Sequence, residues 1–498
     1  MLSFVPIISF FVVGNYAFVP KVCTSIDNLT SKECCPVPPG STEKCGGSGR
    51  GLCVDLRPPV VDNIEGFSGD VDRFNWPMTF FNRTCKCLGN FDGFICTFCK
   101  FGWTGPNCDV PKTRTRRNIL TMTREEIDEF IGYFHQAKDT GSDYMIPTTL
   151  SSDTDKGKDQ HFNEINVYDE FAWYHYYVSR ENLVETEGND TDDHQSFVFA
   201  DFAHEGPSFP TWHRAYLLLF ERALQKVSKD KDLTIPYWDS AGEPNCTVCN
   251  DEYLGGSNGT NNHTVTGSFS DWRVLCHGHE ELTKSGQLCG NMINSYASPP
   301  ITRNPGGDER WKQQNKRLPS KEAVYFALSV RNYDSVPDDF HHLNNSWKTS
   351  HCSFRNILEG FADSENKTGL YMDLVHQLHN GVHLYLNGTM SSLAVAASDP
   401  IFFLHHANTD RIFEKWLRRY DVSRDEFPGK STPTGHNRYS YMVPFFPVYT
   451  NDEFFQRSEH FGYTYNDIDS QGLPLDPIER EREVTSVNGM EKCQMPTP

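Results

Sequence analysis

Past its first seventeen residues the sequence has no apolar run approaching the ~18 residues that a membrane-spanning helix needs, so the chain is expected to be free in solution or in a lumen. It is also short of positive charge. Its 46 lysines and arginines face 66 aspartates and glutamates, a formal charge of −20, which would repel nucleic acid or an anionic membrane surface. No internal repeat of solenoid period is present, which excludes a stacked-repeat architecture. At 498 residues the length suggests about three domain-sized units, although one large unit with a small module fits as well.

What is present starts with MLSFVPIISFFVVGNYA, residues 1–17, which reads as a secretory signal ending at Ala17 although no Lys or Arg precedes its apolar core; a buried strand is the alternative. Sixteen cysteines and nine Asn-x-Ser/Thr sequons, at Asn28, Asn82, Asn189, Asn245, Asn258, Asn262, Asn344, Asn366 and Asn387, support the secretory route and point to N-glycans. Ten of the cysteines lie between Cys23 and Cys108 among many Gly and Pro, so a module over 18–110 must be held by disulfides. A zinc-binding cysteine cluster is the alternative, disfavoured by an oxidising compartment, and spacing leaves the connectivity open. Within the module, CKCLGNFDGFICTFCKFGWTGPNCD, Cys85 to Asp109, resembles an EGF-like repeat.

Residues 111–122 form a basic linker in which Arg114 to Arg117 are either protease-sensitive or simply solvated. A capping box at Thr123 opens a helix to about Lys138, residues 140–165 read as a polar loop, and a second helix covers Val167 to Arg180. Pro210 opens a third helix, with Arg214 and Glu221 away from its apolar series Tyr216, Leu217, Phe220, Leu224 and Val227. Cys246-x-x-Cys249 suits a structural bridge in a secreted chain, and 250–310 reads as surface loops held at Cys276 and Cys289. Helical periodicity ends after Trp416, PFFPVYTNDEFF suggests an extended segment packed on the core, and 466–498 is a polar tail.

Nineteen histidines motivate a search for metal. His379 and His383 are four apart where Leu374, Val375, Leu378, Val382 and Leu386 recur at helical spacing, so both imidazoles leave one helix face. An isolated pair of this kind is usually a surface or core feature. Here Asp399-Pro400 opens another helix carrying His405 and His406, of which only one can face the first pair because consecutive helical residues point about 100° apart. Upstream, His175 lies on the second helix, His204 in a Gly/Pro-bounded loop, and His213 at the start of the third helix. These form two triplets suited to a four-helix bundle with metal between facing helices. Three imidazoles per ion, without thiolate or carboxylate, leave positions open for an exogenous ligand such as O₂.

With FAHEGPSFPTWHR, IPYWDS, LHNGVHLYLNGTM, DPIFFLHHANTDRIFEKW, WYHYYVS and the N-terminal cysteine module, the chain resembles the vertebrate-type tyrosinases, binuclear type-3 copper monooxygenases, from about Cys23 to Tyr465. The resemblance implies a mainly α fold: a four-helix-bundle dicopper catalytic domain over 123–465 and a small disulfide-rich EGF-like module. It implies two copper ions, one on His175, His204 and His213 and one on His379, His383 and His406, with His405 a neighbour. O₂ is then the co-substrate. Small phenols such as tyrosine are hydroxylated to dopa and oxidised to o-quinones, the start of melanin synthesis, in the secretory pathway or a pigment organelle. Asn380 and Glu359 would hold a water that takes the phenol proton.

The alternative within the fold is a zinc-containing tyrosinase-related protein of the dopachrome tautomerase kind. The pair His405-His406 and Phe361 favour copper, whereas Ala396 stands where many members have a serine near the substrate. A non-enzymatic O₂-binding or adhesive glycoprotein is the remaining alternative. The C-terminal membrane span of vertebrate-type members is missing from the sequence, implying free secretion or truncation, and Cys352 and Cys493 are left over after the other cysteines pair.

Overall fold

The structure is a computed structural model and describes residues 19–59, 73–147, 162–180, 182–184, 196–198, 201–260, 262–275, 298–306, 317–334, 353–361, 378–429 and 432–489. The signal segment, the sequons at Asn189, Asn344 and Asn366, and Cys276, Cys289, Cys352 and Cys493 lie outside the described residues.

The cysteine-rich module contains α1 (Ile26–Ser31) and a three-stranded sheet with 83–87 between 33–34 and 51–55. Its ten cysteines form five disulfides, Cys23–Cys34, Cys35–Cys53, Cys45–Cys85, Cys87–Cys96 and Cys99–Cys108, so they are not zinc ligands. Cys246–Cys249 is also a disulfide. The bridges take the place of a large apolar core, which so short a segment cannot build.

Helix α2 (Arg124–Asp139) begins at Thr123, whose hydroxyl accepts from the Glu126 N–H while Glu126 accepts from the Thr123 N–H. It buries Ile127, Phe130, Ile131, Phe134 and Ala137, one face of the helical repeat. The polar loop expected over 140–165 instead holds two paired strands, Gly141–Pro147 and Phe162–Asn166, and Val19–Pro20 adds an edge to them. Burial of Met145, Ile146, Phe162 and Ile165 against the helices outweighs the polar residues between them.

Four helices form the centre. Helix α3 (Val167–Ser179) is buried along its whole length, and α4 (Phe209–Ser228) carries Pro210 in its first turn. Helices α5 (Lys321–Ser329) and α6 (Phe354–Glu359) pack outside them, and α6 borders α7 (Leu378–Leu386). Helix α8 (Ile401–Tyr420) starts at Asp399, which accepts from the Ile401 N–H at 2.9 Å and binds Arg303 through both oxygens at 2.6 and 2.7 Å. Aromatic rings seal the bundle: Phe220 stacks on Phe403 at 3.9 Å, flanked by Phe134, Tyr168 and Tyr216.

Two stretches expected at the surface are built in. Arg114–Arg116 pairs in parallel with Tyr463–Tyr465, and Arg116 is fully buried against Glu221 and Asp410, both at 3.2 Å. Arg214 is equally buried and reaches Asp410 at 2.6 Å and Glu414 at 3.0 Å, so the polar side of α4 faces an internal charge cluster rather than water. The polar tail contains α9 (Pro477–Gly489), whose buried Glu483 pairs with Lys415 and Arg419 of α8. In each case opposite charges presented by other elements permit the burial. The segment over 444–455 packs Phe445, Phe446, Phe454 and Phe455 inward, as its apolar residues suggested, but ends in a short 3₁₀ turn. Among the described residues no helix is long and apolar enough to cross a membrane.

Candidate dinuclear metal centre

Two groups of three histidines converge inside the bundle: His175, His204 and His213, and His379, His383 and His406, the ligand nitrogens of each group within 4.8 Å of one another. His175 comes from α3, His213 from α4, His379 and His383 from α7 and His406 from α8, while His204 sits in the turn before α4. The two groups face each other, with the rings of His213 and His406 stacked at 4.5 Å. Phe402 lies under His406 at 3.9 Å and edge-on to His175 at 4.7 Å; Phe209 is wedged between His213 and His379. Five of the imidazoles are buried, and His383 is partly exposed.

The second nitrogen of each ring decides what the first can do. His213 Nδ1 donates to Phe209 O at 2.8 Å, His406 Nδ1 to Phe402 O at 2.9 Å and His383 Nδ1 to Met390 O at 2.7 Å, all acceptors without a proton of their own. His204 Nδ1 faces Asp201 Oδ2 at 2.9 Å and His379 Nδ1 faces Asn380 Oδ1 at 3.0 Å. These partners hold the proton on Nδ1 and leave Nε2 with its lone pair directed inward. His379 and His406 consequently oppose Nε2 to Nε2 at 2.9 Å, His175 and His204 also meet Nε2 to Nε2 at 3.2 Å, and among the described residues His213 Nε2 is buried without a hydrogen-bond partner. Lone pairs so arranged repel one another unless a cation lies between them. Burial first, then the neighbouring imidazoles, hold His175, His213, His379 and His406 well below the usual histidine range, which keeps them neutral. For His204 burial acts in the same direction, but the Asp201 carboxylate outweighs it and raises the imidazole.

The alternative between His405 and His406 is resolved by direction. His405 Nε2 donates to the His379 carbonyl at 3.2 Å and its ring stacks on His379 at 5.0 Å, so it buttresses that ring from outside the triplet.

Glu359 ends α6, where Gly360 adopts a φ of 110°. Its carboxylate accepts from the Glu205 N–H at 2.5 Å and from Arg355 at 2.7 Å, and burial pushes it up to about 7 despite the arginine. It thus braces the turn next to His204. Asn380 stands beside His379 on the other triplet and is partly exposed. No direct hydrogen bond joins Glu359 to Asn380 among the described residues.

Two contributors escaped the sequence reading. Asp201, three residues before His204, also accepts from the backbone N–H groups of Ala203 and His204, and that spacing was a usable signal. His436 donates to the Asp201 carbonyl at 2.8 Å and accepts from the Ser208 N–H at 3.2 Å from a distance of more than two hundred residues, which no local pattern reveals.

The family described as "Tyrosinase: Common central domain of tyrosinase" matches residues 165–419, a span that contains all six histidines, Glu359 and Asn380. Tyrosinase of Gallus gallus is 43% identical over 461 residues, covering 91% of this chain and 83% of that protein; tyrosinase of Bos taurus is 43% identical over 454 residues, covering 90% and 81%. This chain belongs to the tyrosinase family. The tyrosinases are closer to it than the 5,6-dihydroxyindole-2-carboxylic acid oxidase of Gallus gallus, which is 39% identical over 464 residues, covering 90% and 82%. As a tyrosinase it is a copper-dependent oxidoreductase, and its cofactor is a pair of copper ions. The two converging triplets of imidazoles fit that pair, since borderline imidazole nitrogen without thiolate suits copper.

Proposed function

We propose that the chain hydroxylates small monophenols such as tyrosine ortho to their hydroxyl and oxidises the resulting o-diphenols to o-quinones, and thereby initiates melanin synthesis. One copper is held by His175, His204 and His213 and the other by His379, His383 and His406. The observation that carries this reading is the convergence of two triplets of imidazoles, their nitrogens opposed at close range, inside one helical bundle. The copper pair, when bound, supplies activation of O₂ and the redox change that zinc lacks. His383 and Asn380, the partly exposed members of the site, mark the side from which a phenol ring enters.

Glu359 and Asn380 act on the proton. A phenol must lose its hydroxyl proton to react at the ring carbon beside it, and a water held between the Asn380 side chain and the Glu359 carboxylate receives it. Each Glu359 oxygen makes one hydrogen bond to protein and keeps acceptor capacity for this water. With its carboxyl near 7, Glu359 is matched to proton exchange close to neutral pH.

The protein follows the secretory route, to export or to the lumen of a pigment organelle, with N-glycans on exposed asparagines among Asn82, Asn245, Asn258 and Asn262. Six disulfides among the described residues support an oxidising compartment. The test is metal analysis of the secreted protein together with oxygen consumption on tyrosine and dopa. Two coppers per chain and turnover of both substrates are expected; two zincs without oxygen consumption would overturn the redox reading.

A further inference from the structure

A second cavity, of about 220 Å³, lies where the cysteine-rich module meets α3 and α4, and none of the six metal-facing histidines lines it. Phe94 and Phe98 of the module, Phe171 of α3 and Leu219 of α4 give it apolar walls. A cavity of about 150 Å³ is enough for a benzene ring, so this one takes a single ring with a short side chain.

Its distinguishing polar group is Glu170. The carboxyl is 4% exposed and accepts from the hydroxyls of Ser142 and Tyr174. Among the described residues no lysine or arginine forms an ion pair with it. The charged and titratable groups around it are Asp143 and Tyr144 from the strand Gly141–Pro147, Tyr174 on α3, and Arg222 and Lys226 on α4; the module and the segment at Phe446 and Pro447 add none to the lining. Both cations are matched already, Lys226 by Asp143 and Arg222 by Asp92. Burial, with a smaller contribution from Asp143, outweighs the Ser142 and Tyr174 hydroxyls and the charge of Lys226 and pushes Glu170 up to about 7. A buried carboxyl with no ion-pair partner among the described residues, at the wall of an apolar cavity, leaves room for one positive charge in direct contact with it.

We propose that this cavity binds a small monocyclic aromatic amine, with the ring among Phe94, Phe98 and Phe171 and the ammonium on the Glu170 carboxylate. The ring faces favour the same cation, whereas an anionic ligand would meet Glu170 and Asp143 with like charge.

The experiment is calorimetric titration of the intact copper-loaded enzyme with 2-phenylethylamine, 2-phenylethanol and 3-phenylpropionate, none of which carries a phenol hydroxyl. At a pH of about 8 the amine is expected to bind about tenfold or more tightly than the alcohol, the strength of one charge-assisted hydrogen bond, and the propionate not measurably. That advantage shrinks as the pH is lowered to about 6, because Glu170 takes up its proton and its charge is lost. Glu170→Gln brings the amine down to the affinity of the alcohol. Ala223→Phe, which fills the cavity, removes binding of both while dopa oxidation is unchanged. Equal affinity of amine and alcohol in the unmodified enzyme, or an amine affinity that survives Ala223→Phe, overturns the proposal. Should Glu170→Gln fail to fold, the Ala223→Phe variant and the pH profile decide alone.

Discussion

His379 and His406 bring their Nε2 atoms to 2.9 Å although neither ring has a proton to offer the other, because their Nδ1 protons are held at Asn380 Oδ1 and Phe402 O. His405, adjacent in sequence, turns its Nε2 to the His379 carbonyl instead. The variants His379→Ala and His406→Ala should each lose copper and abolish both phenol and catechol oxidation, whereas His405→Ala should retain two coppers. Metal analysis of the three purified variants checks this. Full copper in His406→Ala would remove that residue from the ligand set.

Asp201 holds the proton on His204 Nδ1 and fixes the turn that carries the ring. Replacing the carboxylate by the amide in Asp201→Asn should weaken copper retention by about 10–100-fold, the usual consequence of losing such a partner. Competition with a chelator of known affinity measures it, and retention equal to the parent protein would assign Asp201 a purely structural part.

Glu359→Gln should slow monophenol hydroxylation by about 10²-fold or more and diphenol oxidation by much less, since only the first reaction draws on its role as a base. The raised carboxyl, near 7, sets the direction of the pH dependence. As pH falls through 7 the carboxylate is protonated and the monophenol rate should drop with it. Steady-state rates on tyrosine and dopa across this range provide the check, and equal losses on both substrates would count against the role.

Asp410 receives Arg116, Arg214 and the hydroxyls of Tyr463 and Tyr465 in a fully buried cluster. Asp410→Ala leaves two buried guanidinium groups short of negative charge and should cost about 3–5 kcal/mol, read as a lower urea midpoint at unchanged slope. Despite burial, the two arginines hold Asp410 below the ordinary carboxylate range. Its contribution is therefore complete above the unfolded value of about 3.9 and is lost as pH falls through the lower folded value. A denaturation midpoint equal to that of the parent at neutral pH would show that the cluster relaxes without Asp410.

The signals legible in the sequence were those carried by a few consecutive residues. The Thr123 box, Pro210 and Asp399-Pro400 announced three helix starts, and the spacing of His379 and His383 placed both rings on one face. The strands at 141–147 and 162–166 were missed because their partners lie across a polar insertion, and Arg116 read as solvated because Asp410, its counter-charge, is 294 residues away. The same limit applies to Glu359, whose contact with the Glu205 N–H spans 154 positions.

By itself the sequence determined the donor types, the helices that carry them and the oxidising compartment written in the cysteines, since caps, periodicity and composition act over a few residues. Only the tertiary structure decided which nitrogen of each imidazole faces inward and which of His405 and His406 joins the centre. It alone also set the five disulfide pairings of the module and left Glu170, among the described residues, without an ion-pair partner at a cavity wall. Those outcomes depend on backbone carbonyls, carboxylates and thiols brought from distant positions, and their energies exist only once the chain has placed them within a few ångströms of each other.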